Sequence, residues 1–125
     1  MPRVVHFELT ADDPVRAGQF YADVFGWQVQ KWDGPEDYWL VTTGEQGTPG
    51  IDGGIMRRND FASSVPVINT IDVDSVDAAI DAIVGHGGEV VAPKMVVPQV
   101  GYLAYCRDTE GNIFGIMQAD ASVTA

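Results

Sequence analysis

A displacement of 61 residues brings the chain into register with itself, and this internal repeat limits the fold more than any other feature of the sequence. Val4/Val65, Asp13/Asp74, Val15/Val76, Ala17/Ala78, Gly26/Gly87, Val29/Val90, Gly50/Gly111, Gly54/Gly115, Ile55/Ile116 and Met56/Met117 coincide without a gap. The pattern Gly-x-x-x-Gly-Ile-Met closes both halves. Two related modules are expected within one domain spanning 1–125, over about residues 3–57 and 65–118. A polar linker over 58–64 joins them and a short tail over 119–125 follows.

Each half begins with a strand and a helix. Val4 to Thr10 alternates, with Val5, Phe7 and Leu9 on one side and His6, Glu8 and Thr10 on the other, the two-residue period of a strand with unlike faces. Asp12-Asp13-Pro14 opens a helix, since Asp accepts from free N–H groups and Pro suits the first helical turn. Ala17, Phe20, Tyr21 and Val24 form its apolar stripe, and Gly26 ends it. In the second half Val65 to Val73 is the strand and Asp74 the cap. Val76, Ala79, Ile80 and Ile83 are the stripe there, ended by Gly85 or Gly87.

Three extended pieces follow each helix: Trp27 to Trp32, Tyr38 to Thr43 and Ile51 to Arg57, then Glu89 to Val91, Tyr102 to Arg107 and Ile113 to Gln118. Gly34-Pro35, the stretch Gly44 to Gly50, and Asp108-Thr109-Glu110-Gly111-Asn112 carry the turn chemistry between them. A βαβββ unit lays its helix on one face of a sheet and leaves the other bare. The expected fold class is α+β, with two such modules forming a curved mixed sheet around a central cleft and the helices on the convex face.

Charge narrows the partners. Seven Lys and Arg stand against 18 Asp and Glu, a formal charge of −11, which leaves no basic face for phosphate neutralisation and argues against nucleic acid and anionic membranes. No apolar run approaches the roughly 20 residues that span a bilayer, and the N-terminal residues show no signal-peptide plan, so a cytoplasmic location is expected. The single cysteine, Cys106, permits no internal disulfide, agrees with a reducing compartment, and lacks the basic surroundings of a reactive thiolate. His86 in Gly85-His86-Gly87-Gly88 reads as a helix-terminal residue, where the dipole favours a cation.

The strongest candidates for chemistry are His6 and Glu8, two residues apart on one strand face. A carboxylate beside an imidazole fixes its tautomer and raises its basicity, so the pair suits a general base or a polar ligand contact. Asn69 corresponds to Glu8 through the 61-residue offset. Trp27, Trp32, Trp39, Tyr38, Tyr102 and Tyr105 lie on or beside strands bordering the cleft, with Trp39 and Tyr102 taken as lining it. Met56 and Met117 are expected to fill its centre.

The strand-to-helix segment His6-Phe7-Glu8-Leu9-Thr10-Ala11-Asp12-Asp13-Pro14, with Phe20-Tyr21, Phe25-Gly26-Trp27 and the terminal Asp108 to Gln118, resembles the vicinal oxygen chelate superfamily of glyoxalases, bleomycin-resistance proteins and extradiol dioxygenases. The resemblance covers Arg3 to Gln118. It implies a divalent cation held by one side chain from the first and one from the last strand of each module. Carried over, those positions are His6, Gly54, Val67 and Gly115, three of which offer no donor. The expected function is therefore binding of a small organic molecule in a cleft without a metal cofactor, in a homodimer. The alternative is a metal-dependent lyase, isomerase or dioxygenase, and metal-free acid–base chemistry at His6 is a further possibility.

Overall fold

The computed structural model describes residues 2–58 and 65–124. The expected linker, apart from Arg58, lies outside the described residues. The chain divides into two compact units, His6–Ile68 and Asn69–Ala125 with Met1–Val5.

The first module contains β1 (Val4–Ala11), α1 (Pro14–Phe25), β2 (Gln28–Lys31), β3 (Tyr38–Thr42) and β4 (Asp52–Arg57). Its strand order is β2-β3-β4-β1, antiparallel except for the parallel β1–β4 pair, which the α1 crossover makes possible. The second module repeats the scheme with β5 (Val67–Asp72), α2 (Val76–Gly85), β6 (Glu89–Val97), β7 (Gly101–Arg107) and β8 (Ile113–Ala119), in the order β5-β8-β7-β6, again with one parallel pair, β5–β8. Among the described residues, two helices and eight strands thus give the α+β class and the doubled βαβββ order that the repeat implies.

Local chemistry explains the helix ends. The Asp13 carboxylate accepts from the Arg16 N–H at 3.1 Å, Pro14 occupies the first turn, and Gly26 ends α1 at φ 73°, a left-handed conformation that costs glycine little. At α2 the cap is Ser75, whose hydroxyl accepts from the Ala78 N–H at 3.1 Å, and not Asp74. His86 follows α2, and its Nδ1–H donates to the Ala82 carbonyl at 2.8 Å, satisfying a carbonyl of the last turn.

Each helix packs on its own module. Ala11, Trp39, Val41 and Ile55 form the buried cluster under α1, joined by Phe7, Leu9, Ala17, Trp27 and Val29. Val76, Ala104, Cys106 and Ile116 form the cluster at α2, joined by Ile80, Ile83, Tyr102, Phe114 and others. The α1 stripe differs from the sequence expectation. Gly18 is buried, and a Cβ there would lie 2.8 Å from Val29 Cγ1, so the helix approaches β2 through glycine. Phe20 and Val24 are consequently turned out, both more than half exposed. The tail is tied down as well: Val123 is buried and its carbonyl accepts from the Gln99 N–H at 2.8 Å.

Candidate functional site

Strand pairing decides which residues share the face away from each helix. Along β1, Phe7, Leu9 and Ala11 join the cluster under α1, so His6, Glu8 and Thr10 take the opposite side. Glu8 is the Cα partner of Gly54 on β4, His6 of Asp52, and Thr10 of Met56. Tyr38 on β3 is the partner of Met56, and Leu40 of Gly54. The face of the first module that points away from α1 therefore carries His6, Glu8, Tyr38, Leu40, Asp52 and Met56 around a glycine.

Its centre is a hydrogen bond. His6 Nε2 and the Tyr38 hydroxyl lie 2.8 Å apart, and the two rings are nearly parallel at a centroid separation of 6.5 Å. Tyr38 is set by the turn before it. The Trp32 N–H donates to the Tyr38 carbonyl at 2.8 Å, and the Trp32 ring meets the Tyr38 ring edge-on at 6.2 Å. Tyr38 also covers Gly54, where an added Cβ would fall 1.9 Å from its hydroxyl oxygen and 2.0 Å from Cζ. Glycine at 54 is thus the condition for this ring position.

Glu8 is only 5% exposed, and no buried polar side-chain atom among the described residues lacks a hydrogen-bond partner. Burial pushes the His6 pKa below the ordinary histidine value, with the Glu8 and Asp52 carboxylates pulling the other way. The imidazole is accordingly neutral near pH 7, able to accept or pass a proton. Asp52 also accepts from the Thr43 N–H at 2.9 Å, which fixes the start of β4. Thr10, absent from the sequence candidates, is buried. Its hydroxyl donates to the Val65 carbonyl at 2.8 Å, so its role is to fasten the chain entering β5.

Several candidates stand elsewhere. Trp39 is not on this face: it is buried in the α1 cluster, with Lys31 and Arg57 both 5.5 Å from its ring. Its neighbour Tyr38 holds the bare side, because Trp39 and Val41 supply the apolar alternation that α1 needs. Tyr102 likewise packs in the α2 cluster under Lys94, and Tyr105 faces the other way, the Cα partner of Gly115. Cys106 lies in the α2 cluster, where burial pushes its thiol pKa up, consistent with an inert residue.

The offset itself needs correction along the first strand of each module. Glu8 opposes Gly54, whereas Thr70 opposes Gly115, so the strands β1 and β5 are related by 62 residues (70 − 8) and β4 and β8 by 61 (115 − 54). The counterpart of His6 is Ile68, not Val67, and that of Glu8 is Thr70, not Asn69. Val67 and Asn69 share the alternation of Ile71, which joins the α2 cluster, and both are exposed. Met56 and Met117 are half-buried and take the same alternation as Gly54 and Gly115.

A family model described as the glyoxalase/bleomycin resistance protein/dioxygenase superfamily matches residues 3–116. The chain belongs to this superfamily. A Mycobacterium bovis protein provisionally named glyoxylase CFP32 is 29% identical over 124 residues, covering 94% of this chain and 46% of that protein, so the chain spans about half its length. A glyoxylase-like domain-containing protein of Didymella fabae is 31% identical over 116 residues, with 87% of this chain and 88% of that one covered. Among solved structures, a methylmalonyl-CoA epimerase in complex with methylmalonyl-CoA and NH4+ superposes with a TM-score of 0.72 at 15% identity, covering 100% of this chain and 99% of the other. At that identity the likeness is one of fold.

The superfamily resemblance raises the question of a divalent cation. The positions it marks hold His6, Gly54, Gly115 and, in the corrected register, Ile68, so one of four bears a donor. The described residues contain no group of three or more His, Cys, Asp or Glu arranged for a metal. A transition ion needs about three protein donors at roughly 2.0–2.2 Å, and these residues do not fit one. Among the described residues no helix is long and apolar enough to cross a membrane.

Proposed function

We propose that this superfamily member binds a small organic molecule on the face of its first module that points away from α1, through side chains and without a metal. The observation that carries the reading is the Tyr38 ring, which lies over Gly54 and hydrogen-bonds His6 where a cation would need a donor. That face combines aromatic surface from Tyr38 and Trp32 with a neutral imidazole and the Glu8 and Asp52 carboxylates, a mixture that suits an organic ligand with a polar end. Any catalysis there would be proton transfer at His6, whose Nε2 lies 2.8 Å from the Tyr38 hydroxyl. In this reading the protein is a cytoplasmic homodimer, as expected from its composition and its superfamily.

The test is native mass spectrometry with elemental analysis on protein purified without chelator. The expected result is bound metal far below one per chain, together with an organic adduct that is lost in Tyr38→Ala. Near-stoichiometric Ni, Zn, Fe or Mn, abolished in His6→Ala, would overturn the reading.

A further inference from the structure

The misfit between this face and a metal has a specific geometry. One atom, the Tyr38 hydroxyl oxygen, is 2.8 Å from His6 Nε2 and 1.9 Å from where a Cβ at position 54 would stand. It thus occupies the space in which a side chain from position 54 would begin and from which His6 would be reached. Position 54 is the Cα partner of Glu8 on the neighbouring strand, and strands lie about 4.8 Å apart, so a carboxylate grown from 54 stands beside Glu8 and diagonal to His6. The backbone also permits a side chain there, because Gly54 is not among the positive-φ glycines.

The second module shows a related arrangement. Tyr105 lies over Gly115, where an added Cβ would meet its Cε1 at 3.3 Å and Thr70 Oγ1 at 3.2 Å. The tyrosines come from different register positions: Tyr105 is the Cα partner of Gly115, whereas Tyr38 reaches Gly54 diagonally from two residues away. Both modules nevertheless place a phenol ring against the glycine that the superfamily resemblance marks as a ligand position.

We propose that Tyr38 has replaced the last-strand metal ligand of the first module, so that it is the ring over Gly54, and not only a shortage of donors, that keeps divalent cations from His6. The inference rests on the metal-free reading above and adds a cause to it. His6 and Glu8 offer two donors on one side of β1, position 54 lies across from Glu8, and the phenol ring stands over position 54. Removing the ring and adding a carboxylate would create a His, Glu, Glu donor set of the kind that holds Zn, Co or Ni.

The experiment is titration of the full chain with Co2+, followed by visible absorption and calorimetry, in the parent and in Gly54→Glu, Tyr38→Ala, Tyr38→Phe and the double variant Tyr38→Ala/Gly54→Glu. The double variant is expected to bind one Co2+ at least tenfold more tightly than the parent or any single variant, and to lose that gain when His6→Ala is added. Tyr38→Phe keeps the ring and is expected to bind no better than the parent. A folded double variant that gains nothing would overturn the proposal, as would Gly54→Glu alone binding as tightly as the double. Should the double variant fail to fold, Tyr38→Ser/Gly54→Asp, with smaller side chains, gives the same reading with the same two outcomes. Tight Co2+ binding by the parent would instead defeat the metal-free function, so the two failures are distinguishable.

Discussion

Replacing Gly54 by alanine adds a single methyl group, and the structure specifies what that methyl meets. Its Cβ would be 1.9 Å from the Tyr38 hydroxyl oxygen, well inside contact distance, so the ring must leave. The departure breaks the 2.8 Å bond to His6, worth about 0.5–1.5 kcal/mol for a partly buried pair. Repacking a displaced ring costs typically about 1–3 kcal/mol. Against this, alanine restricts the unfolded chain and returns about 0.4–1 kcal/mol where the backbone tolerates it. The net expectation is about 2 kcal/mol of destabilisation, or roughly 8 °C in Tm for a domain of this size. Urea denaturation at pH 7.5 measures it, in the parent and in a Tyr38→Ala background. The three atoms nearest that methyl all belong to Tyr38, so in the Tyr38→Ala background Gly54→Ala is expected to cost little, giving a coupling of about 2 kcal/mol. An equal cost in both backgrounds would refute the claim that Tyr38 is what Gly54 makes room for.

Two other expectations concern pH and capping. Since the native His6 pKa is lowered, the unfolded chain binds a proton below about pH 6.5 that the native chain does not. Stability therefore falls as pH drops from about 7 until the native imidazole itself titrates. His6→Gln should flatten that slope below about pH 7 in urea melts, and an unchanged slope would remove His6 as its source. At α2, Ser75→Ala should cost about 1 kcal/mol and Asp74→Ala much less, measured by thermal melting, because Ser75 and not Asp74 accepts from the Ala78 N–H.

Much of the fold was legible because the repeat carried it. The glycines and the Ile-Met pairs at the module ends mark β4 and β8 as equivalent strands of the repeat, and Asp13, Pro14 and Gly26 mark α1 by local chemistry alone. The site was harder to read because side-chain direction turns on single residues. The second module has one residue fewer than the first between its first and last strands, so the offset is 62 at β5 and 61 at β8, which reverses the face of Asn69 and Val67 and leaves Thr70 opposite Gly115. In Tyr38-Trp39 and in Tyr102 to Tyr105, adjacent or nearby aromatics suit either face. The choice is made by Val41 and by Ala104 and Cys106, whose alternation belongs to the helix side. Phe20 misled for a different reason: α1 is apolar on more than one side, and Gly18, with no side chain to signal it, makes the close approach to β2. His6 and Glu8 were readable because two polar residues alternated with Phe7 and Leu9 in a strand whose other face had to be buried. Their partner Tyr38 was signalled only jointly, by the ring and by the glycine that accommodates it.

The outermost strand of each module has a consequence for how copies of this chain meet. β2 is four residues long and ends at Lys31, and β6 contains Pro93, which has no N–H to offer, next to Lys94 and within one of two register shifts against β7. A strand margin that is short, charged, irregular or missing a donor is a poor template for another strand, which is how sheet proteins avoid adding to one another without limit. These margins disfavour growth of the sheets into fibrous or open-ended assemblies. The homodimer proposed above would therefore have to form through side-chain surfaces and not by pairing strands at these margins.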